Sequence, residues 1–301
     1  MSSSMKCFLV TGSSGFIGNS ICKKLVSKGF KVIGLDVINN GSTFKSFNCS
    51  ILDYSSIEKI FEDCSPDIVI HCAGPTAKSF SKDFEEAFNL QINGTINILN
   101  SSKKAGIEKF IFLSSDHVYM CHDSSHEVNE QTPLNLSFNK PEDFGRNMFA
   151  TAKAASEAIC RQEFHNSIIF RLASIYGPGK CTNLVKGMLD EARNTGQIEI
   201  WGDGNRSVQF THVSDVSDIV SNSINLKPGI YNISNLDKIK VKDAAKMISQ
   251  HFHAKVIKVL ERSGGPMFPY VSTAKLLNNL NNFNYIPLDM GIKLMVGDND
   301  D

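Results

Sequence analysis

TGSSGFIG, residues 11–18, follows the apolar run KCFLVTG (6–12) and opens a segment with Ile17, Ile21 and Leu25 at helical spacing. A glycine turn leading from a strand into a helix is the setting a dinucleotide-binding fingerprint needs. Gly12 allows the tight turn, Gly15 lets backbone approach a pyrophosphate, and Gly18 lets helix and sheet pack closely. Ser14, Phe16 and Ile17 belong to the helix N-terminus, whose unpaired amides and positive dipole end suit phosphate. Asp36, at the end of FKVIGLD (30–36) and eighteen residues beyond Gly18, adds a carboxylate. There it takes hydrogen bonds from the adenosine ribose and repels a 2′-phosphate, which favours NAD over NADP.

Outward from this turn, strand and helix patterns alternate. Apolar strands are expected at 30–36, 46–49, 67–74, 108–115 and 167–174, with helices at 16–28, 56–63, 83–105 and 149–164. Short apolar strands separated by helices imply a doubly wound parallel sheet with right-handed crossovers. The pattern changes after about residue 175, past the turn YGPG (176–179). Short strands at 198–201, 208–213, 230–234 and 255–260 alternate with helices around 184–192, 214–225 and 241–251. The expected organisation is a dinucleotide-binding domain over 1–174 and a smaller mixed α/β lobe over 175–301, with segments near 205–235 returning to the first. The polar tail GDNDD (297–301) is expected to fray.

Composition narrows the function. Lys+Arg and Asp+Glu are both 31, so no basic surface argues for nucleic acid or anionic membrane. MSSSMKCFLVTG lacks the apolar core of a signal peptide, and no run approaches a membrane span, so a cytoplasmic protein is expected. The eight cysteines form no CxxC pair and read as free thiols. Cys121, His122 and His126 fit no common zinc spacing, so no metal is expected.

Seven motifs in order carry a resemblance. TGSSGFIG, HCAG (71–74), QINGTINIL (91–99), FLSSDHVY (112–119), KAASE (153–157), RLASIYGPG (171–179) and GDGNRSVQF (202–210) are similar to the extended short-chain dehydrogenases/reductases. Within these, the chain resembles the NAD-dependent epimerase/dehydratase family, which acts mainly on nucleotide sugars. The resemblance implies a Rossmann-type domain, bound NAD, a nucleotide-sugar substrate, and a homodimer joined through two long helices (83–105 and 149–164). It implies further that Asp53 contacts the adenine amine, although a carboxylate there could equally cap the next helix. Ala73 and Gly74 would pass beside the cofactor, and Asn93 would support the active site. Ser115 would hold the substrate oxygen that is oxidised or reduced, and Lys153 would bind the nicotinamide ribose.

Several positions depart from the family. Four residues before Lys153 the family places a tyrosine that moves the hydroxyl proton, and this chain has Phe149. Residues four apart share one helix face, so phenol and ammonium act together there. No tyrosine lies between 119 and 176, so no shift of register restores it. A positioned acid or base contributes roughly a hundred- to ten-thousand-fold in rate. Three readings stay open: an introduced substitution that traps complexes, a site in which another group moves the proton, and a site that only binds. For the second, Asp116 and His117 directly follow Ser115, and the corresponding positions in related dehydratases hold an acid and a base. A histidine changes charge near neutrality and serves either role.

The substrate side departs too. Val208 stands where the family has an arginine for the substrate diphosphate, and Arg206 lies two residues earlier, on the same face of a strand. Arg262 resembles the second diphosphate arginine, although Gly265 replaces an expected acid. Ser174 stands where an asparagine often contacts the sugar. The expected function is an NAD-dependent nucleotide-sugar epimerase or dehydratase working by transient oxidation of a sugar carbinol. The alternatives are an NAD(P)H-dependent 4-keto sugar reductase and a catalytically impaired NAD-binding protein.

Overall fold

The computed structural model describes residues 5–38, 43–138, 143–179, 181, 183–280 and 283–297. Most of the tail expected to fray, 298–301, lies outside them, and Gly297 closes a helix.

In chain order the first elements are β1 (Cys7–Thr11), α1 (Phe16–Ser27), β2 (Lys31–Asp36), β3 (Lys45–Asn48), α2 (Tyr54–Cys64), β4 (Ile68–His71), α3 (Ala77–Lys82), α4 (Phe84–Ala105) and β5 (Lys109–Ser115). A short β6 (Glu127–Val128), α5 (Phe144–Glu163) and β7 (Ser167–Leu172) follow. Then come β8 (Ile175–Tyr176), α6 (Leu184–Thr195), β9 (Gln197–Trp201), β10 (Ser207–Val208), β11 (Thr211–His212) and α7 (Val213–Asn222). The chain finishes with β12 (Gly229–Ile233), β13 (Ile239–Lys240), α8 (Val241–Phe252), β14 (Lys255–Val259), β15 (Tyr270–Val271), α9 (Ala274–Leu277) and α10 (Leu288–Gly297).

Seven strands form one sheet in the order β12-β7-β5-β4-β1-β2-β3. The pairs β1–β2, β1–β4, β2–β3 and β4–β5 are parallel. Strand order reverses between β1 and β4, and in such sheets ligands bind outside the carboxyl ends of the strands at that switch point. The carboxyl ends there are Thr11-Gly12 and His71 to Gly74, so topology directs attention to two of the sequence motifs.

All five residues of β1 are buried, as expected where helices cover both faces of a sheet. On one face Leu9, Ile33, Val69 and Phe110 meet Ile57 and Phe61 of α2 and Ile98 of α4. Helix boundaries follow local chemistry. Asp83 caps α4 by accepting the Glu86 N–H at 3.0 Å, Glu85 and Glu86 follow in its first turn, and Gly106 ends it at φ 66°. Helix α5 begins at Phe144, five residues before the expected start; Gly145 and Asn147 in its first turn are buried, and Gly145 lies against α3, where a Cβ would meet the Ala77 carbonyl oxygen at 2.7 Å.

The chain divides into two compact units. One comprises Met1–Cys121, Leu134–Arg171 and Ser217–Tyr231; the other comprises His122–Pro133, Leu172–Val216 and Asn232–Asp301. In the second unit β9 pairs with β14 and β8 with β11, both parallel, while β10 pairs antiparallel with β13. The expected strand 208–213 is therefore two short pieces with different partners. The second unit's core brings Val185 and Met188 of α6 against Ile198 and Ile200 of β9, Ala244 of α8 and Ile292 of α10. All eight cysteines are free thiols, five of them buried. Among the described residues no helix is long and apolar enough to cross a membrane, and no cluster of three His, Cys, Asp or Glu could hold a metal.

Candidate functional site

The glycine turn has the conformation its residues permit. Gly12 is left-handed at φ 69°, and a Cβ on it would lie 2.8 Å from the Ala73 nitrogen. Turn and β4 end therefore touch backbone to backbone. A Cβ on Gly18 would collide with the Gly12 carbonyl oxygen. Gly15 is the N-cap of α1 and supplies no side-chain cap. The amides of Phe16, Ile17 and Gly18 in the first turn then have no intrahelical carbonyl and face the open end of the helix. Ser14 donates its N–H to Asp36 Oδ2 at 2.9 Å, and Ile38 donates its own to Oδ1 at 3.1 Å. The carboxylate at the end of β2 thus sits directly beside the turn. An uncapped helix start, a turn without room for side chains and a neighbouring carboxylate fit a dinucleotide.

Beside this turn runs a buried polar chain. Thr11 Oγ1 meets His71 Nδ1 at 2.7 Å, and His71 Nε2 meets Thr95 Oγ1 at 3.1 Å. Burial pushes the His71 ring down to about 3, so it is neutral and serves as a spacer between two hydroxyls. The Ala73 N–H donates to Thr11 Oγ1 at 3.1 Å, which fixes the HCAG strand end. Gln91, fully buried on α4, donates to Thr95 Oγ1 at 3.3 Å and to Ser156 Oγ at 3.1 Å. Its Oε1 has no hydrogen-bond partner and lies 2.8 Å from where a Cβ on Gly74 would stand.

Asn93 does not join this group, contrary to expectation. It is exposed on the other side of α4 and donates to Asn89 Oδ1 at 2.6 Å. Two residues along a helix turn the side chain through roughly 200°, so Gln91 and Asn93 point in opposite directions. Gln91 and Thr95 are the polar residues of this motif that join the buried chain. Asp53 is also placed by its local role: it caps α2, accepting the Ser56 N–H at 3.2 Å and the Ser55 hydroxyl at 2.9 Å. These bonds from Ser56 and Ser55 hold its carboxyl below the usual range.

At the end of β5, Ser115 caps a single 3-10 turn, Asp116–Tyr119, and accepts the His117 N–H at 3.3 Å. Ser115 Oγ lies 3.1 Å from His117 Nδ1 and 3.3 Å from Asp116 Oδ1, and Nδ1 lies 3.2 Å from the same Oδ1. Helix α5 crosses this turn with Phe149, whose ring stands edge to face with Phe80 at 6.0 Å. One turn on, Lys153 is buried and donates to the Leu113 carbonyl at 3.0 Å. Its Nζ lies 4.9 Å over the Phe112 ring and 5.7 Å over that of Phe149. Burial pushes this ammonium down to about 8.

A buried ion pair lies one further turn along α5. Glu157 accepts from Arg171 Nη2 at 2.6 Å and from the Ser114 hydroxyl at 2.5 Å, while Arg171 Nη1 donates to the Tyr119 phenol at 2.5 Å. Burial opposes the charge on Arg171, but the bonds from Glu157 outweigh it and hold the guanidinium above its usual value. Three of the site's elements are tied together by this pair: β5, the turn after it, and α5. Sequence reading left out Glu157, Arg171, Gln91 and His71, although all four lie inside its motifs.

In the second unit, Ser174 is exposed at φ 39°, a left-handed conformation that asparagine tolerates better than serine. Arg206 Nη1 reaches the Pro266 carbonyl at 3.4 Å, and a Cβ on Gly265 would stand 3.4 Å from it. Val208 packs against the apolar core instead. Arg262 is exposed, pairs with Glu199 at 3.3 Å, and lies 5.2 Å over the Trp201 ring.

The NAD dependent epimerase/dehydratase family matches residues 8–234. The chain belongs to that family. Among its relatives, a putative UDP-glucose 4-epimerase of Methanocaldococcus jannaschii is 28% identical over 309 residues, covering 96% of each chain. The dTDP-D-glucose 4,6-dehydratase of Dictyostelium discoideum is 28% identical over 267 residues, 80% of this chain and 61% of that one. Among solved structures, the UDP-glucose 4-epimerase of Thermus thermophilus in complex with NAD has the same fold. Its TM-score is 0.82 at 21% identity, over 96% of this chain and 97% of that one. This member of the NAD dependent epimerase/dehydratase family has the glycine turn described above, a buried lysine at 153 and phenylalanine at 149.

Proposed function

We propose that the chain is an NAD-dependent epimerase or dehydratase of nucleotide sugars that oxidises a sugar carbinol transiently and then restores or rearranges it. The observation that carries this reading is the burial of Lys153 beside Gly74, with Ser115, Asp116 and His117 gathered at the neighbouring end of β5. Gly12, Ser14, Gly15, Phe16, Ile17 and Gly18 would hold the pyrophosphate, Asp36 the adenosine ribose, and Ala73, Gly74 and Lys153 the nicotinamide end. Asp53 keeps one carboxylate oxygen for the adenine amine while the other caps α2. NAD, when bound, supplies a reversible two-electron oxidation of an alcohol carbon. Ser115 fixes the substrate oxygen, and Lys153 places a positive charge in a dry site where it acts at full strength. Asp116 or His117 acts as the acid or base. Ser174, Arg206 and Arg262 are assigned to the sugar and its diphosphate.

A cytoplasmic homodimer through α4 and α5 is part of the same reading. Phe84 and Phe144 support it: they are 36% and 47% exposed, and their rings meet at 5.7 Å. Exposed aromatic pairs of this kind suit a protein interface.

Mass spectrometry of the purified protein and a titration with NAD test the reading. Bound or titratable NAD, with UDP-glucose or dTDP-glucose converted at constant 340 nm absorbance, is the expected result. A protein that neither retains NAD nor binds it overturns the reading. Stoichiometric loss of NADPH absorbance with a 4-keto sugar nucleotide selects the reductase. Phe149 favours a second reading, a protein that binds NAD without turnover, and NAD binding with no conversion of any sugar nucleotide selects that one.

A further inference from the structure

We propose that His117 carries the substrate-hydroxyl proton, receiving it through Ser115, in place of the phenol that residue 149 lacks. This assignment rests on the redox reading above and names its proton carrier.

The geometry is specific. Ser115 Oγ and Asp116 Oδ1 both meet the same ring nitrogen, His117 Nδ1, at 3.1 and 3.2 Å. A nucleophile-activating triad sets serine and carboxylate on opposite ring nitrogens. Here they share one, so the cluster does not build a serine nucleophile. It suits a proton that arrives at Nδ1 and needs a counter-charge once there. The Asp116 side chain is only 7% exposed, and its Oδ1 waits at the position that an Nδ1–H would reach. The Phe149 ring meets the imidazole edge to face at 5.3 Å and contributes no polar atom of its own. Asp116 faces the ring from its own turn, and on α5 the Lys153 ammonium is held at the Leu113 carbonyl.

The step balances as a proton transfer. With imidazole neutral and its hydrogen on Nε2, the Ser115 hydroxyl donates to Nδ1. One oxygen lone pair accepts the His117 N–H, and the other is left for the substrate hydroxyl. As the substrate O–H bond breaks, its proton forms a new bond to Ser115 Oγ. The proton already on Oγ passes to Nδ1. Ser115 ends unchanged, the substrate oxygen has lost one proton, and His117 has gained one opposite the Asp116 carboxylate. The reverse order returns it. Asp116 is a positioning residue in this scheme.

The test compares wild type with His117→Gln, His117→Ala, Phe149→Tyr and the double variant His117→Ala/Phe149→Tyr. All are saturated with NAD and assayed on UDP-glucose, UDP-glucuronate and dTDP-glucose, and NAD affinity is titrated for each. Either single change should lower kcat by about a hundred-fold or more, the scale of a lost acid or base, with NAD affinity unchanged. Added imidazole should restore turnover to His117→Ala, and so should the tyrosine of the double variant. A wild type that turns over one of these sugars while His117→Gln keeps its kcat overturns the assignment and leaves the redox reading standing. So does loss of NAD binding in both single variants, which would make His117 structural. If wild type is inactive but Phe149→Tyr alone is active, His117 is no carrier, though the redox reading survives. Inactivity of both on all three sugars removes the assignment and the redox reading together.

Discussion

Phe149 and His117 meet edge to face, with ring centroids 5.3 Å apart and planes at 88°. Residue 149 therefore touches the imidazole of the β5 turn directly. Phe149→Tyr puts a phenol one turn before Lys153, and turnover of the accepted sugar nucleotide should rise by about tenfold or more. Product formation followed by chromatography checks this. A fall in kcat with NAD affinity unchanged would mean instead that the apolar ring is needed as a wall for the imidazole.

Gly18→Ala tests the glycine turn. The added methyl meets the Gly12 carbonyl, which is backbone and cannot rotate away. The expected cost is about 1–3 kcal/mol of stability, seen in urea unfolding, with NAD affinity reduced at least as much. Full NAD binding by this variant would place the pyrophosphate elsewhere.

Lys153 gives stability a pH dependence. Its folded-state value of about 8 lies below the ordinary 10.5, so between these values the unfolded chain binds more protons than the folded one. Stability of the NAD-free protein should therefore rise through that window and be lost again as pH falls toward 8. The whole span amounts to about 3 kcal/mol. Urea midpoints for wild type and Lys153→Met at pH 8 and pH 10 check it, because the variant lacks this contribution while other groups titrate in both.

The Arg171–Glu157 pair should behave as a buried charge pair. Arg171→Met leaves Glu157 with only the Ser114 hydroxyl among the partners described above, and about 3–5 kcal/mol should be lost. Replacing both residues by apolar ones of similar volume should recover much of that. Equal losses for single and double changes would show that the pair does not act as a unit.

Asp36→Asn removes the charge beside the glycine turn but keeps an acceptor for the Ser14 N–H. NADP affinity should rise relative to NAD by about tenfold, measured by titrating both, since the repulsion of a 2′-phosphate is gone. An unchanged ratio would move the ribose away from β2.

The first unit was legible because its signals are local. The glycine turn, the apolar strands and the lysine four residues after position 149 lie within single elements or adjacent pairs. Helical phase was the weak point. Ala87, Gln91, Gly94 and Ile98 mark the buried face of α4, and following that spacing would have chosen Gln91 over Asn93. Glu157 and Arg171 are brought together by tertiary packing, which no local pattern records. The second unit is built largely from two-residue strands paired across long separations, such as Tyr270–Val271 with Glu127–Val128. Its last helix carries Leu288, Ile292 and Met295 at proper spacing, but two glycines in ten residues weaken that pattern.

Ser115 owns one hydrogen and two lone pairs, and its neighbours at the β5 end already claim part of that set. On the proposed reading, the hydroxyl turned toward His117 would leave a lone pair for an alcohol. Turned outward, it would offer its hydrogen to a ketone. A rotation about a single carbon–oxygen bond would then let one side chain greet both ends of a reversible oxidation, with no movement of the backbone.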